Sequence, residues 1–89
     1  MTFATRPANA ADLPAVLKLY AELHPADPTL TDDVRAAVWE QIERQPGRTI
    51  LVAEAGAAIA GTANCAVSAN LTRAGRPFML VENVVVGAA

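Results

Sequence analysis

The chain has 89 residues, 53% of them hydrophobic and 18% charged, with a formal net charge of −2. This length makes one small domain that buries roughly 60–65% of its unfolded surface, and the apolar share excludes a disordered segment. The weakly acidic balance leaves no basic footprint for nucleic acid, and no apolar run approaches the ~20 residues that span a bilayer.

The N-terminus lacks a signal-peptide pattern, and the single cysteine, Cys65, cannot close an internal disulfide, so the expected setting is the reducing cytoplasm, without membrane contact. Much of the apolar content is alanine, and the large aromatics are Phe3, Tyr20, Trp39 and Phe78. The expected core is therefore thin.

Thr2–Arg6 alternates weakly and meets Pro7, which reads as a short first strand at a sheet edge. Asn9 or Asp12 then caps a first helix, with Pro14 tolerated just inside. Leu13, Val16, Leu17, Tyr20 and Leu23 follow a 3–4 spacing, so this helix is amphipathic and ends before Pro25. A stiff loop, His24-Pro25-Ala26-Asp27-Pro28, leads to Thr31-Asp32-Asp33, which caps a second helix with Val34, Val38 and Ile42 as its inner stripe. Gln45-Pro46-Gly47 stops it.

Thr49–Glu54 reads as a strand and Ala55-Gly56-Ala57 as a turn. In Ala58–Ala69 two sets alternate: Ile59, Gly61, Ala63, Cys65 and Val67 against Ala60, Thr62, Asn64, Ala66 and Ser68. A period of two predicts a strand with the first set buried and the second more polar. A polar loop with Arg73 and Arg76 delivers the chain into Phe78–Val86. There only Glu82 and Asn83 interrupt the apolar run, which predicts a strand covered on both faces in the middle of a sheet. The expected class is α+β, in the order β1-α1-α2-β2-β3-β4, with an antiparallel sheet and helices packed on it.

Arg6-Pro7, the helix ending near Tyr20, Ile50-Leu51-Val52-Ala53-Glu54, Gly61-Thr62-Ala63 and Leu80-Val81-Glu82-Asn83-Val84-Val85-Val86 together resemble the N-terminal half of a GNAT N-acetyltransferase. The resemblance covers residues 1–86 and not 87–89. It implies transfer of an acetyl group from acetyl-CoA to the primary amine of a small molecule or peptide. Backbone groups at Val84, Val85 and Val86 are expected to bond the acetyl and pantetheine portions. In the family a Gly-rich turn follows, holding the pyrophosphate at a helix N-terminus. Here Gly87-Ala88-Ala89 stands in its place, so the expectation is a truncated domain, inactive alone, lacking that loop, the fifth strand and the tyrosine that often serves as general acid.

Glu82 is the candidate general base, its pKa drawn toward neutrality if the cleft around it is partly dry; the bland alternative pairs it with a neighbouring strand residue or Arg76. Asn83 is a candidate substrate ligand or a cross-sheet partner. Tyr20 and His24 end the first helix beside the loop that shapes the acceptor pocket in the family, although Tyr20 also fits the apolar stripe. Cys65 is expected to pack, Trp39 to be core or interface, and Asp32 and Asp33 to cap a helix. One Cys and one His give no metal spacing. The contrasting reading is a non-catalytic association module, a homo-oligomer pairing through its last strand.

Overall fold

A computed structural model describes residues 2–88. Its elements run β1 (Phe3–Pro7), a 3-10 turn (Ala10–Asp12), α1 (Leu13–Leu23), α2 (Asp32–Arg44), β2 (Arg48–Ala55), β3 (Ala58–Ser68), a second short turn (Arg73–Gly75) and β4 (Phe78–Val86). The four strands form an antiparallel sheet in the order β1-β2-β3-β4, so class and element order are as the sequence predicts.

Asn9 and Asp12 form a capping box around the 3-10 turn that leads into α1. The Asn9 side chain accepts from Ala11 N, the Asp12 carboxylate accepts from Asn9 N, and Asp12 then opens α1 with Pro14 in its first turn. Arg6 reaches across from β1 and donates Nη1 and Nη2 to the two Asp12 oxygens at 2.7 and 2.8 Å, and Nε to Glu54 of β2. One guanidinium thus joins the first strand, the helix start and the second strand. Asp12 is buried, and its pKa is lowered from 3.8 to about 2 by the bonds from Arg6 and from Asn9 N, against the opposing effect of burial. Arg6 is raised above its ordinary value by the same bonds.

Register assigns the faces, because directly paired residues share one. Arg6, Val52, Thr62 and Val85 form one cross-strand row, and Ile50, Asn64 and Glu82 another. Both rows lie on the face carrying α1, where Val16, Leu19, Ile50 and Val52 make up the buried apolar core of the described residues. Leu19, outside the predicted stripe, is buried, and Leu23, inside it, is exposed.

Three expectations about burial need correction. In β3 the polar set is the covered one: Thr62 and Asn64 are both 6% exposed, whereas Val67 is 44% exposed. Thr62 lies under α1 with its hydroxyl donating to Leu51 O, and Asn64 accepts from Arg48, so burial is offset by bonds that periodicity does not reveal. In α2, capped by Thr31 as expected, no residue is buried, and Val34 and Val38 are exposed. A cleft of about 310 Å³ lined by Leu13, Pro14, Arg35 and Trp39 separates it from the start of α1. Finally, β4 is not central but the edge strand among those described, and Phe78, Met79, Leu80 and Val81 are each half exposed on alternating faces. An apolar run records what a strand is suited to bury; α1 lies over β3 and the end of β4, where Glu22 accepts from Ala88 N, and leaves the first half of β4 exposed.

β4 also carries a bulge. Asn64 pairs with Glu82 but Thr62 with Val85, so Asn83 and Val84 together face Ala63. Asn83 has φ +52°, a left-handed conformation that asparagine tolerates far better than β-branched residues. The extra residue resets the alternation, so that Glu82 and Val85, three apart, share the helix-bearing face. Beyond it Gly87 N donates to Ala60 O, continuing the pairing, and Ala88 N donates to Glu22 of α1.

Asn83→Val is expected to cost about 1–2 kcal/mol in urea unfolding, while Asn83→Gly stays within about 0.5 kcal/mol of wild type. Equal losses in both would show that the left-handed residue is not what fixes β4. Because the folded pKa of Asp12 lies below its unfolded value, the stability it confers is present above pH 3.8 and lost as pH falls toward about 2. The urea midpoint should drop across that window in wild type and much less in Asp12→Asn; parallel profiles would contradict the Arg6 bond as the source of the shift.

Candidate functional site

The bulge divides β4 into two environments. On the sheet face away from α1, the second half of the strand borders an apolar trough of about 200 Å³ lined by Leu51, Ala53, Gly61, Ala63, Val84 and Val86, with Val85 closing its wall. Small residues make the floor: a Cβ added at Gly61 would lie 3.1 Å from Val85 O, so the absence of a side chain keeps β3 and β4 close there. Along the outer edge of β4, alternate N–H and C=O groups have no partner strand among the described residues. Val84, Val85 and Val86, the expected backbone ligands of an acyl chain, thus lie together at a place that is both apolar and able to hydrogen bond.

The helix-bearing face presents polar groups instead. Glu82 is exposed and has no ion-pair partner among the described residues, Arg76 included, so the described elements form no dry cleft around it. Directly opposite, buried Asn64 accepts from Arg48 Nε at 2.9 Å, and Arg48 Nη1 donates to Gln45 Oε1 at 3.2 Å. Tyr20 points to the same region. Burial raises its pKa, while the positive charge of Arg48 and the nearby Thr62 hydroxyl draw it back. Tyr20, Thr62, Arg48, Asn64 and Glu82 therefore follow one another across the sheet beneath and beside α1.

Tyr20 and His24 also border a separate cleft of about 260 Å³ with Leu17, Asp27, Pro28 and Leu30, where α1 hands over to the loop before α2. The structure brings these two together, and brings Val84, Val85 and Val86 together. It joins Glu82 to Asn64, which sequence reasoning treated as one of an alternating polar set. Asn83 is the pivot of the bulge: its left-handed backbone decides which way Glu82 and the valines face. Arg48 was missed altogether. The signals for it were an arginine at the mouth of a strand and an asparagine in mid-strand, which only the pairing register connects.

No family model matches the chain, and no curated protein does. Solved structures do. The chain is 43% identical to a protein of Agrobacterium tumefaciens named as an acetyltransferase, with a TM-score of 0.88 over 93% of this chain and 58% of that one. It is 28% identical to an acetyltransferase of Trypanosoma brucei, with a TM-score of 0.78 over 96% of this chain and 60% of the other. A GNAT family acetyltransferase of Staphylococcus aureus, 21% identical, shares the fold with a TM-score of 0.76, covering 97% of this chain and 63% of its own. The chain thus spans about 60% of the length of these relatives. Over its described length it carries the GNAT acetyltransferase fold, as the order of its elements and the resemblance in its sequence led one to expect.

Proposed function

We propose that the chain supplies the acyl and acceptor sides of an acetyl-CoA-dependent N-acetyltransferase site, with a primary amine of a small molecule or peptide as acceptor. The single observation that carries this reading is the bulge at Asn83. It sets a carboxylate and a row of apolar, edge-exposed backbone groups on opposite sides of one short segment.

The apolar trough and the open edge of β4 fit the acetyl and pantetheine end of acetyl-CoA. Slender methylene chains match a floor of Gly61 and Ala63, and amide groups match the unpaired backbone at Val84–Val86. When bound, acetyl-CoA supplies a thioester carbonyl open to attack. Glu82 acts as the general base, accepting a proton from the incoming ammonium group directly or through one water, so that a neutral amine attacks. Asn64 flanks Glu82, and Tyr20 and His24 shape the acceptor side. Family likeness supports a cytoplasmic setting; among the described residues no helix is long and apolar enough to cross a membrane.

Calorimetric titration of acetyl-CoA into the chain should give saturable binding, weakened about tenfold or more by Ala63→Leu, which fills the trough without touching Glu82. No heat from a folded chain overturns the reading. Where thiol release on a primary amine is measured, Glu82→Gln should lower the rate about 100-fold and leave acetyl-CoA binding unchanged.

A second reading has its own observation. β4 is a nine-residue edge strand whose apolar side chains are half exposed, which suits pairing with β4 of another copy. Light scattering should then report twice the 9.3 kDa chain mass. A monomer across the micromolar range would rule this out.

A further inference from the structure

Four arginines of the described chain are held by other side chains, and in two ways. Arg6, Arg35 and Arg44 each face a carboxylate. Arg48 is instead held by two neutral amide oxygens, Asn64 Oδ1 and Gln45 Oε1, and no described carboxylate lies within ion-pair distance of it. A guanidinium has five N–H donors, so three remain without an acceptor among the described residues. Its main anchor is not a mobile surface group: Asn64 is 6% exposed and fixed in the middle of β3. An arginine serving only to tie the exit of α2 to the sheet would satisfy the same contacts, but a full positive charge is a poor choice for bonding two amides, because it stays uncompensated.

What lies on the other side of Asn64 gives that charge a use. Glu82 pairs with Asn64 across the β3–β4 ladder on the same face, so the base and the guanidinium flank one amide. Arg48 starts from β2 and Glu82 from β4, two strands apart, but the guanidinium reaches Asn64 of β3, so about one strand spacing, roughly 5 Å, sets the reach of a ligand bridging the two groups. We infer that Arg48 is a specificity-determining residue for the acceptor, and that the acceptor is a small amine carrying an anionic group, carboxylate or phosphate, two or three atoms from its nitrogen. This rests on the acetyltransferase reading above. The amine lies toward Glu82 and the anion takes the free donors of Arg48, the residue type whose planar fork matches carboxylate and phosphate oxygens.

The test is a titration of the 15N-labelled chain, followed by NMR, with O-phosphoethanolamine, β-alanine and ethanolamine. The two anionic amines should bind at least about tenfold more tightly than ethanolamine and shift the Arg48 Nε–H and Asn64 side-chain signals. A stronger response to O-phosphoethanolamine than to β-alanine assigns phosphate, and the reverse assigns carboxylate. Arg48→Gln should abolish the discrimination, and Arg48→Lys, which keeps the charge but not the fork, should restore part of it. Equal binding of all three amines, no binding of any, or discrimination surviving in a folded Arg48→Gln chain overturns the assignment. A parallel acetyl-CoA titration separates the two readings: acetyl-CoA binding without discrimination among amines removes only the role of Arg48, whereas absence of acetyl-CoA binding removes the transferase reading itself.

Discussion

The Arg6 guanidinium is the point at which three parts of the chain are held together: β1, the start of α1 through Asp12, and the end of β2 through Glu54. The orientation of α1 follows from it. With Asp12 tied down on the helix-bearing face, α1 lays Val16 and Leu19 over Ile50 and Val52 and brings Tyr20 to Thr62 and Arg48. A bidentate arginine–carboxylate pair fixes an angle as well as a distance, which a few apolar contacts in so small a core do not. Because the buried core is concentrated under α1, α2 and the first half of β4 make few demands on the fold, and their apolar side chains stay half in water.

From that placement the division of the sheet follows. α1 lies over β3 and the end of β4, and at the other end of the same face Glu82 stays exposed beside buried Asn64 and part-exposed Arg48. The trough on the opposite face is floored by small residues, Gly61 and Ala63. A regular strand through residues 82–86 would put Glu82, Val84 and Val86 on one face. The left-handed Asn83 breaks that parity, moving Val84 and Val86 to the trough and leaving Glu82 with the polar row. A single residue in an unusual conformation, at a cost of order 1 kcal/mol, thus sorts the acid from the apolar residues of the trough.

Element identity was legible in the sequence where chemistry is local. Asn9, Asp12, Pro14 and Thr31 sit where caps belong, Pro25 and Gly47 end their helices, and the 55–57 turn joins two alternating strands. Facing was not legible. Ile59, Gly61, Ala63, Cys65 and Val67 are the more apolar set in β3, yet Thr62 and Asn64 are the ones under α1, because their bonds to Leu51 O and Arg48 offset the loss of water. Alternation states that two faces differ; it does not state which one a helix selects. The centrality expected for β4 failed for a related reason, since hydropathy measures an affinity for burial and not the presence of a neighbour. Arg48 escaped notice because its meaning lies in a bond to a residue 16 positions away.

The resulting geometry constrains where chemistry takes place on this fold. The trough and the polar row lie on opposite faces, and the sheet between them is continuous through β1, β2 and β3. Among the described residues the sheet ends at β1 and at β4, and at the bulge of β4 the two environments come within one residue of each other. On the proposed function, a ligand group along Val84–Val86 and a second at Glu82 and Arg48 meet around the edge of the strand and not through the sheet. That edge is formed by backbone and short side chains, so it brings two reactants into contact while offering little surface of its own to hold either. In the proposed reading, affinity comes from the groups on each side: the apolar trough for one partner, and the anchored charge of Arg48 for the other.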